Sequence, residues 1–230
     1  MHHVILLLLL TCAAGTVDAI SYLGLGHVFT AMMTGNTVLL GLAVGQGHLG
    51  AAVRSVVALI GFSLGVIVGA VIVQRKDEDA SWPSAVTRTL AVEAILLGAF
   101  ALLWYLTGPD RSEYLLYILI ALTAVAMGLQ SAAVQRLGVP GVMTTYITGT
   151  LTTLMARVGR RIHVGSPLVA TPPSVSPAGR TGVLAAVFVA YGCGALAGGF
   201  LEFHVFSFAV VLPFILVGIV VIGAIAIGPA

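Results

Sequence analysis

The chain has 230 residues, of which 59% are hydrophobic and 8% charged, whereas soluble domains carry roughly 25% charged residues. Together with a mean hydropathy of +1.12, this excludes a water-soluble globular protein and implies a chain dissolved in a bilayer. A formal net charge of only +2 offers no basic surface for nucleic acid.

A membrane-crossing helix needs about 20 apolar residues for a hydrocarbon core of about 30 Å. The first candidate covers 4–23. Its start, "MHHVILLLLLTCAAG", resembles a signal peptide, but it lacks a Lys/Arg-rich leader and its apolar run continues past any cleavage point. It is therefore read as a retained first helix. Asp18 lies deep inside it, where an ionised carboxylate costs roughly 3 kcal/mol and should face a cavity, a partner or a proton.

A shorter segment follows at 28–44, containing "VFTAMMTGNT". The next spans are expected at 51–74 and 88–107, separated by the charged loop 75–88. Glu93 sits about one turn inside the fourth apolar segment and is expected to snorkel or to pair with Arg88. A turn at 107–113 leads to a span at 114–135. A second short segment, 142–156, contains "VMTTYITGTL". After the basic, Pro/Ser-rich loop 157–180, spans are expected at 181–202 and 205–227. Tyr22, Trp104, Tyr105, Tyr114 and Tyr117 fall near span ends, as in an aromatic belt. Cys12 and Cys193 lie in apolar segments and read as small buried side chains.

The chain repeats itself. "LGLGHVFTAMMTGN" (23–36) matches "LGVPGVMTTYITGT" (137–150) at six of fourteen positions, including Thr30/Thr144, Thr34/Thr148 and Gly35/Gly149. "FSLGVIVG" (62–69) resembles "YGCGALAG" (191–198). The expected fold is therefore an all-α integral membrane protein made of two three-helix halves, 1–112 and 113–230. Each half carries a short broken or re-entrant Thr/Gly helix.

Charge counting bears on whether the short segments cross. If both re-enter, giving six spans, eight Lys/Arg face one side and only Arg54 and Arg111 the other. If both cross, giving eight spans, the split is six to four. The positive-inside rule favours six spans with cytoplasmic termini. Three spans per half then make the halves an inverted repeat, a recurring transporter plan.

Backbone that leaves helical geometry inside a membrane must be buried in protein or line a wet cavity. Gly35 and Gly149 permit the breaks. Thr30, Thr34, Asn36, Thr144 and Thr148 supply polar groups to them, and the helix N-termini there favour anionic or polar groups. Gln130 and Ser131 stand at the level of Asp18 in the second half, without a carboxylate, which suits one proton-coupling site rather than two. These ten residues, Asp18 and both Gly included, form the candidate solute site. Gly61, Gly65 and Gly69, like Gly194 and Gly198, have the small-xxx-small spacing that admits a close helix partner in the same chain or in a second copy. Nucleophile, metal-ligand and phosphate-loop motifs are absent, so neither catalysis nor a cofactor is expected.

"GTVDAISYLGLGHVFTAMMTGNTVLLG" (15–41) and "AMGLQSAAVQRLGVPGVMTTYITGTLTTL" (126–154) resemble the YoaK family of bacterial membrane proteins over nearly the whole chain. The resemblance implies a multi-pass bacterial inner-membrane protein with a suggested role in small-molecule transport and no established substrate. The residues themselves favour a secondary transporter or channel for a small polar or anionic solute. The competing reading is a non-transporting sensor or accessory protein, or an intramembrane enzyme.

Overall fold

The computed structural model describes residues 2–74, 82–108, 110–138, 144–145, 147–162 and 177–227. Among them every regular element is a helix: α1 (His2–Gly24), α2 (Met33–Gly45), α3 (Leu49–Val73), α4 (Ser84–Thr107), α5 (Glu113–Arg136), α6 (Ile147–Ile162), α7 (Pro177–His204), α8 (Phe206–Ala209) and α9 (Val211–Ile227). Five of these, α1, α3, α4, α5 and α7, are long and apolar enough to cross a membrane. The expected last span is broken at Val210 into the short α8 and the 17-residue α9.

The helices have few polar side chains with which to hold together, so packing decides their arrangement. α1 and α5 are the most buried of the long helices. α3, α4, α7 and α9 pack around them and turn Ile60, Leu64, Ile67, Leu196, Phe200 and Ile222 outward. An apolar outer surface of this kind is what hydrocarbon requires.

Without a hydrophobic drive between helices in lipid, close backbone approach supplies much of the attraction. The glycine ladders provide it within the chain. A Cβ on Gly65 would overlap the Val125 carbonyl, and one on Gly69 would meet Ala132 and Leu129, so α3 lies against α5. A Cβ on Gly194 would overlap the Cys12 carbonyl, and one on Gly198 would meet Thr16, so α7 lies against α1. In both pairs the residue numbers rise together, and the paired helices run in the same direction. Both glycine faces are thus occupied by neighbours in the same chain, and neither needs a second copy.

The two pairs share one contact pattern. Gly128 faces Phe62 and Val66, while Gly15 faces Tyr191 and Ala195. Gly65 faces Val125, while Gly194 faces Cys12. A single offset of 113 (Gly15 to Gly128) carries every α1 partner onto its α5 counterpart. An offset of 129 (Gly65 to Gly194) does the same from α3 to α7.

The course of the first short segment is set by what its ends touch. Gly24 packs on Trp104 and Glu202, and Gly26 packs on Arg54. Arg54 pairs with Glu113 at 3.3 Å. The end of α1, the starts of α3 and α5 and the end of α4 therefore lie together at one end of the bundle. Between them the chain turns inward and comes back. The reversal uses Gly26 at φ 80° and His27 at φ 63°, left-handed values that glycine adopts readily and histidine seldom. With 13 residues α2 is about 20 Å long, too short to cross a core of about 30 Å.

Three side chains depart from expectation. Trp104 lies near the end of α4, but it is buried against Phe100 rather than facing outward, and the Arg111 guanidinium stacks on its ring at 3.7 Å. Glu93 is fully buried, and neither carboxyl oxygen has a hydrogen-bond partner among the described residues. Arg88 instead reaches Ser84, because position 93 faces the core while position 88 is exposed. Cys12 and Cys193 are free, and Cys193 is exposed rather than buried.

Gly65→Ala is expected to lower the melting temperature in detergent, at a cost of about 1–3 kcal/mol from overpacking. Gly192→Ala, whose new methyl meets nothing within 4 Å, should leave it unchanged or raise it through helix propensity. Parallel thermal unfolding of the two variants checks this contrast.

Candidate functional site

The segment between α1 and α2 is not helical, so its backbone groups need partners from elsewhere. Asp18 supplies them. Its Oδ1 accepts from the N–H groups of Thr30 at 2.9 Å and Ala31 at 2.7 Å, and its Oδ2 accepts from the Tyr191 hydroxyl at 2.6 Å. Asn36 does the same one turn into α2. Its Oδ1 accepts from Phe29 N–H at 2.9 Å, and its Nδ2 donates to the Phe29 carbonyl at 2.5 Å. The Ser21 and Thr30 hydroxyls lie 3.0 Å apart. Asp18, Thr30 and Asn36 are all buried, and these bonds fix the depth at which the chain reverses.

In the second half neutral groups tie the described part of the short segment to the long helix. Gln130 Nε2 donates to Thr144 Oγ1 at 2.9 Å and to the Leu10 carbonyl at 3.1 Å. Ser131 and Thr145 bring their hydroxyls to 2.5 Å. Asp18 precedes Thr30 by twelve residues, and Gln130 and Ser131 precede Thr144 and Thr145 by fourteen, so the long helix again anchors the short segment. The partners differ, however: backbone N–H groups in the first half and side-chain hydroxyls in the second.

A cavity of 210 Å³ lies where the two segments approach. Thr34 and Met33 from the start of α2 line it, as do Thr148 and Ile147 from the start of α6. Ser131, Thr145, Phe62 and Tyr191 complete most of its wall. Eight of the ten lining residues come in pairs under the sequence offsets: Ala31 with Thr145, Met33 with Ile147, Thr34 with Thr148, and Phe62 with Tyr191. α2 begins at the cavity without a side-chain cap, which leaves first-turn N–H groups and the positive end of its dipole there. The volume falls below the about 300–1,000 Å³ typical of drug-sized ligand sites and suits a small solute.

Of the ten residues expected at a site, Thr34, Ser131 and Thr148 line this cavity. Asp18, Thr30, Asn36, Gln130 and Thr144 stand behind its wall and hold the backbone or one another. Gly35 packs against the Phe29 ring, and the Gly149 carbonyl accepts from Thr153. Sequence reasoning missed Phe62 and Tyr191 as wall residues. Their signal was present in the aromatic residue that heads each matched glycine-rich stretch. Among the described residues, no three His, Cys, Asp or Glu side chains come together as metal ligands.

The family described as "Protein of unknown function (DUF1275)" matches residues 6–223. The chain is also 47% identical over 157 residues to the UPF0700 transmembrane protein YoaK of Bacillus subtilis (strain 168), covering 68% of each protein. The chain belongs to the YoaK family. Membership supports a multi-pass membrane protein, as do the apolar helices, and the family's description assigns no activity. No solved structure matches the chain.

Asp18→Ala would leave the Thr30 and Ala31 N–H groups buried without an acceptor. Each such loss costs about 1–3 kcal/mol, so a destabilisation of about 3 kcal/mol or more is expected. Tyr191→Phe, which removes one donor and leaves both backbone bonds in place, should cost only about 1–2 kcal/mol. Denaturation of the two variants in detergent should preserve that order.

Proposed function

We propose that this protein is a channel or secondary transporter for a small polar or anionic solute, with its site in the cavity between the two broken segments. One observation carries the reading: Thr34 and Thr148, from segments 114 residues apart, wall a single cavity with Ser131, Thr145, Phe62 and Tyr191. Hydroxyl donors and the N-terminal ends of α2 and α6 favour a solute with negative or acceptor character. The aromatic rings and Met33 supply an apolar wall. No Lys or Arg stands among the described residues that line the cavity, so an anionic solute there would meet dipoles rather than a full positive charge. In this reading Asp18 positions the broken segment, because all its described bonds serve the segment's backbone or Tyr191.

The proposed topology is six spans, with α2 and α6 re-entering from opposite sides and the halves 1–112 and 113–230 related as an inverted repeat. The doubled contacts of α1–α7 and α3–α5 support the relation. Charge supports the orientation. Arg54 lies at the end where α3 starts, and Arg111 lies between α4 and α5 at that same end, whereas Arg88 and Arg136 sit at the opposite ends of α4 and α5. The basic end, with both termini, then faces the cytoplasm of a bacterial inner membrane.

Labelling of single cysteines tests the topology in a background with Cys12 and Cys193 replaced by alanine. In six spans, His48→Cys and Ser174→Cys label from opposite sides. Labelling of both from one side would establish eight spans instead.

Flux into proteoliposomes, followed by stopped-flow light scattering, tests the function with formate, nitrate, glycerol and urea. Wild type should pass at least one of these faster than empty liposomes do. Replacing both Thr34 and Thr148 by valine should slow that solute about ten-fold or more through the lost hydroxyl contacts. Equal rates for wild type, the double variant and empty liposomes across the panel would count against transport.

A further inference from the structure

A second cavity, of 350 Å³, opens between the start of α4 and the end of α9. It belongs to neither broken segment, and it is graded along its length. At its outer end stand Trp82, Ser84, Thr87 and Arg88, with Ala224 and Ile225 across from them near the end of α9; about one turn further in, it is lined by Ala91 and Val221. The small side chains at 91 and 224 leave space between the two helices unfilled.

We propose that this groove binds one anionic phospholipid, with an acyl chain lying between α4 and α9 and the phosphate at Arg88. Charge complementarity selects the occupant. Among the described residues that line the groove, Arg88 alone is charged and none is a carboxylate. The Arg88 side chain is exposed and reaches Ser84 Oγ at 3.4 Å, which places the guanidinium over the first turn of α4. That turn follows Pro83 and has no side-chain cap, so its dipole adds positive potential beside the arginine. Trp82 is buried, donates its indole N–H to Thr87 at 3.0 Å and lies 5.5 Å from the His3 ring. It thus forms a fixed wall at the depth where tryptophan marks the membrane interface. Polar outer end, cationic contact and apolar floor follow the order of a phospholipid's own parts.

The test uses the delipidated full chain in detergent, titrated with dioleoyl phosphatidylglycerol, dioleoyl phosphatidylcholine or inorganic phosphate. Bound lipid is counted by native mass spectrometry and stability is read by thermal shift. Phosphatidylglycerol should bind and raise the melting temperature more than phosphatidylcholine, and phosphate should do neither. Arg88→Gln should weaken phosphatidylglycerol binding about five-fold, the worth of one basic residue at a membrane surface. Arg136→Gln, at the same end but outside the groove, should titrate as wild type. Ala224→Phe fills the groove and should abolish the one-lipid adduct; Ala91→Leu reads the same effect if that variant does not fold.

Wild-type titration curves for both Arg88→Gln and the groove-filling variant would overturn the proposal. An equal shift with phosphate alone would reduce the site to a free-anion contact and overturn it too. So would a lipid-free dimer that the groove-filling variant dissociates, since a second copy would then be the occupant.

Discussion

The structure depends on one constraint: inside a bilayer, peptide groups that leave the helix must find partners in the protein. Residues 25–32 leave it. Asp18 takes two of their N–H groups, Asn36 takes both polar groups of Phe29, and Ser21 meets Thr30. These bonds set how deep the first segment reaches and hence where α2 begins. An aspartate in the middle of an apolar helix is costly by itself. Here its cost is offset by the donors it gathers, and removing it would strand them.

From that anchor the remaining geometry follows. Tyr191 donates to the same carboxylate, so the anchor of the first half is tied to α7 of the second. Gln130 reaches back from α5 to Leu10 on α1. Each half therefore helps to hold the broken segment of the other, and the cavity forms at the seam. The glycine contacts along α1–α7 and α3–α5 supply the close approach that makes those bonds reachable. A methyl group at Gly15 or Gly128 would push the helix pairs apart at the level of the cavity.

The two halves use different chemistry for the same task. A carboxylate binds backbone in the first, whereas an amide and a hydroxyl bind side chains in the second. The difference keeps a carboxylate on one side of the seam only, already engaged by three described donors. The cavity is left with hydroxyls, two aromatic rings and the beginnings of two helices. That combination is polar without being highly charged.

Much of this was legible in the sequence. Composition and run lengths located the five long helices to within a few residues, because apolar length is the direct requirement of a bilayer. The offset of 114 pairs Thr34 with Thr148 on residue identity alone, since glycine and threonine matches are rarely accidental among apolar segments. Asp18 stood out as a buried polar group in need of partners, but the sequence suggested a proton or a solute. Tertiary structure alone supplied Thr30, Ala31 and Tyr191, the last of them 173 residues away. It alone turned Glu93 inward and Trp104 into the core, because periodicity on a helix apolar all round does not say which face meets protein and which meets lipid. It also decided that the glycine ladders pack within the chain. Small-xxx-small spacing states that something must come close, and only the arrangement of the other helices states what.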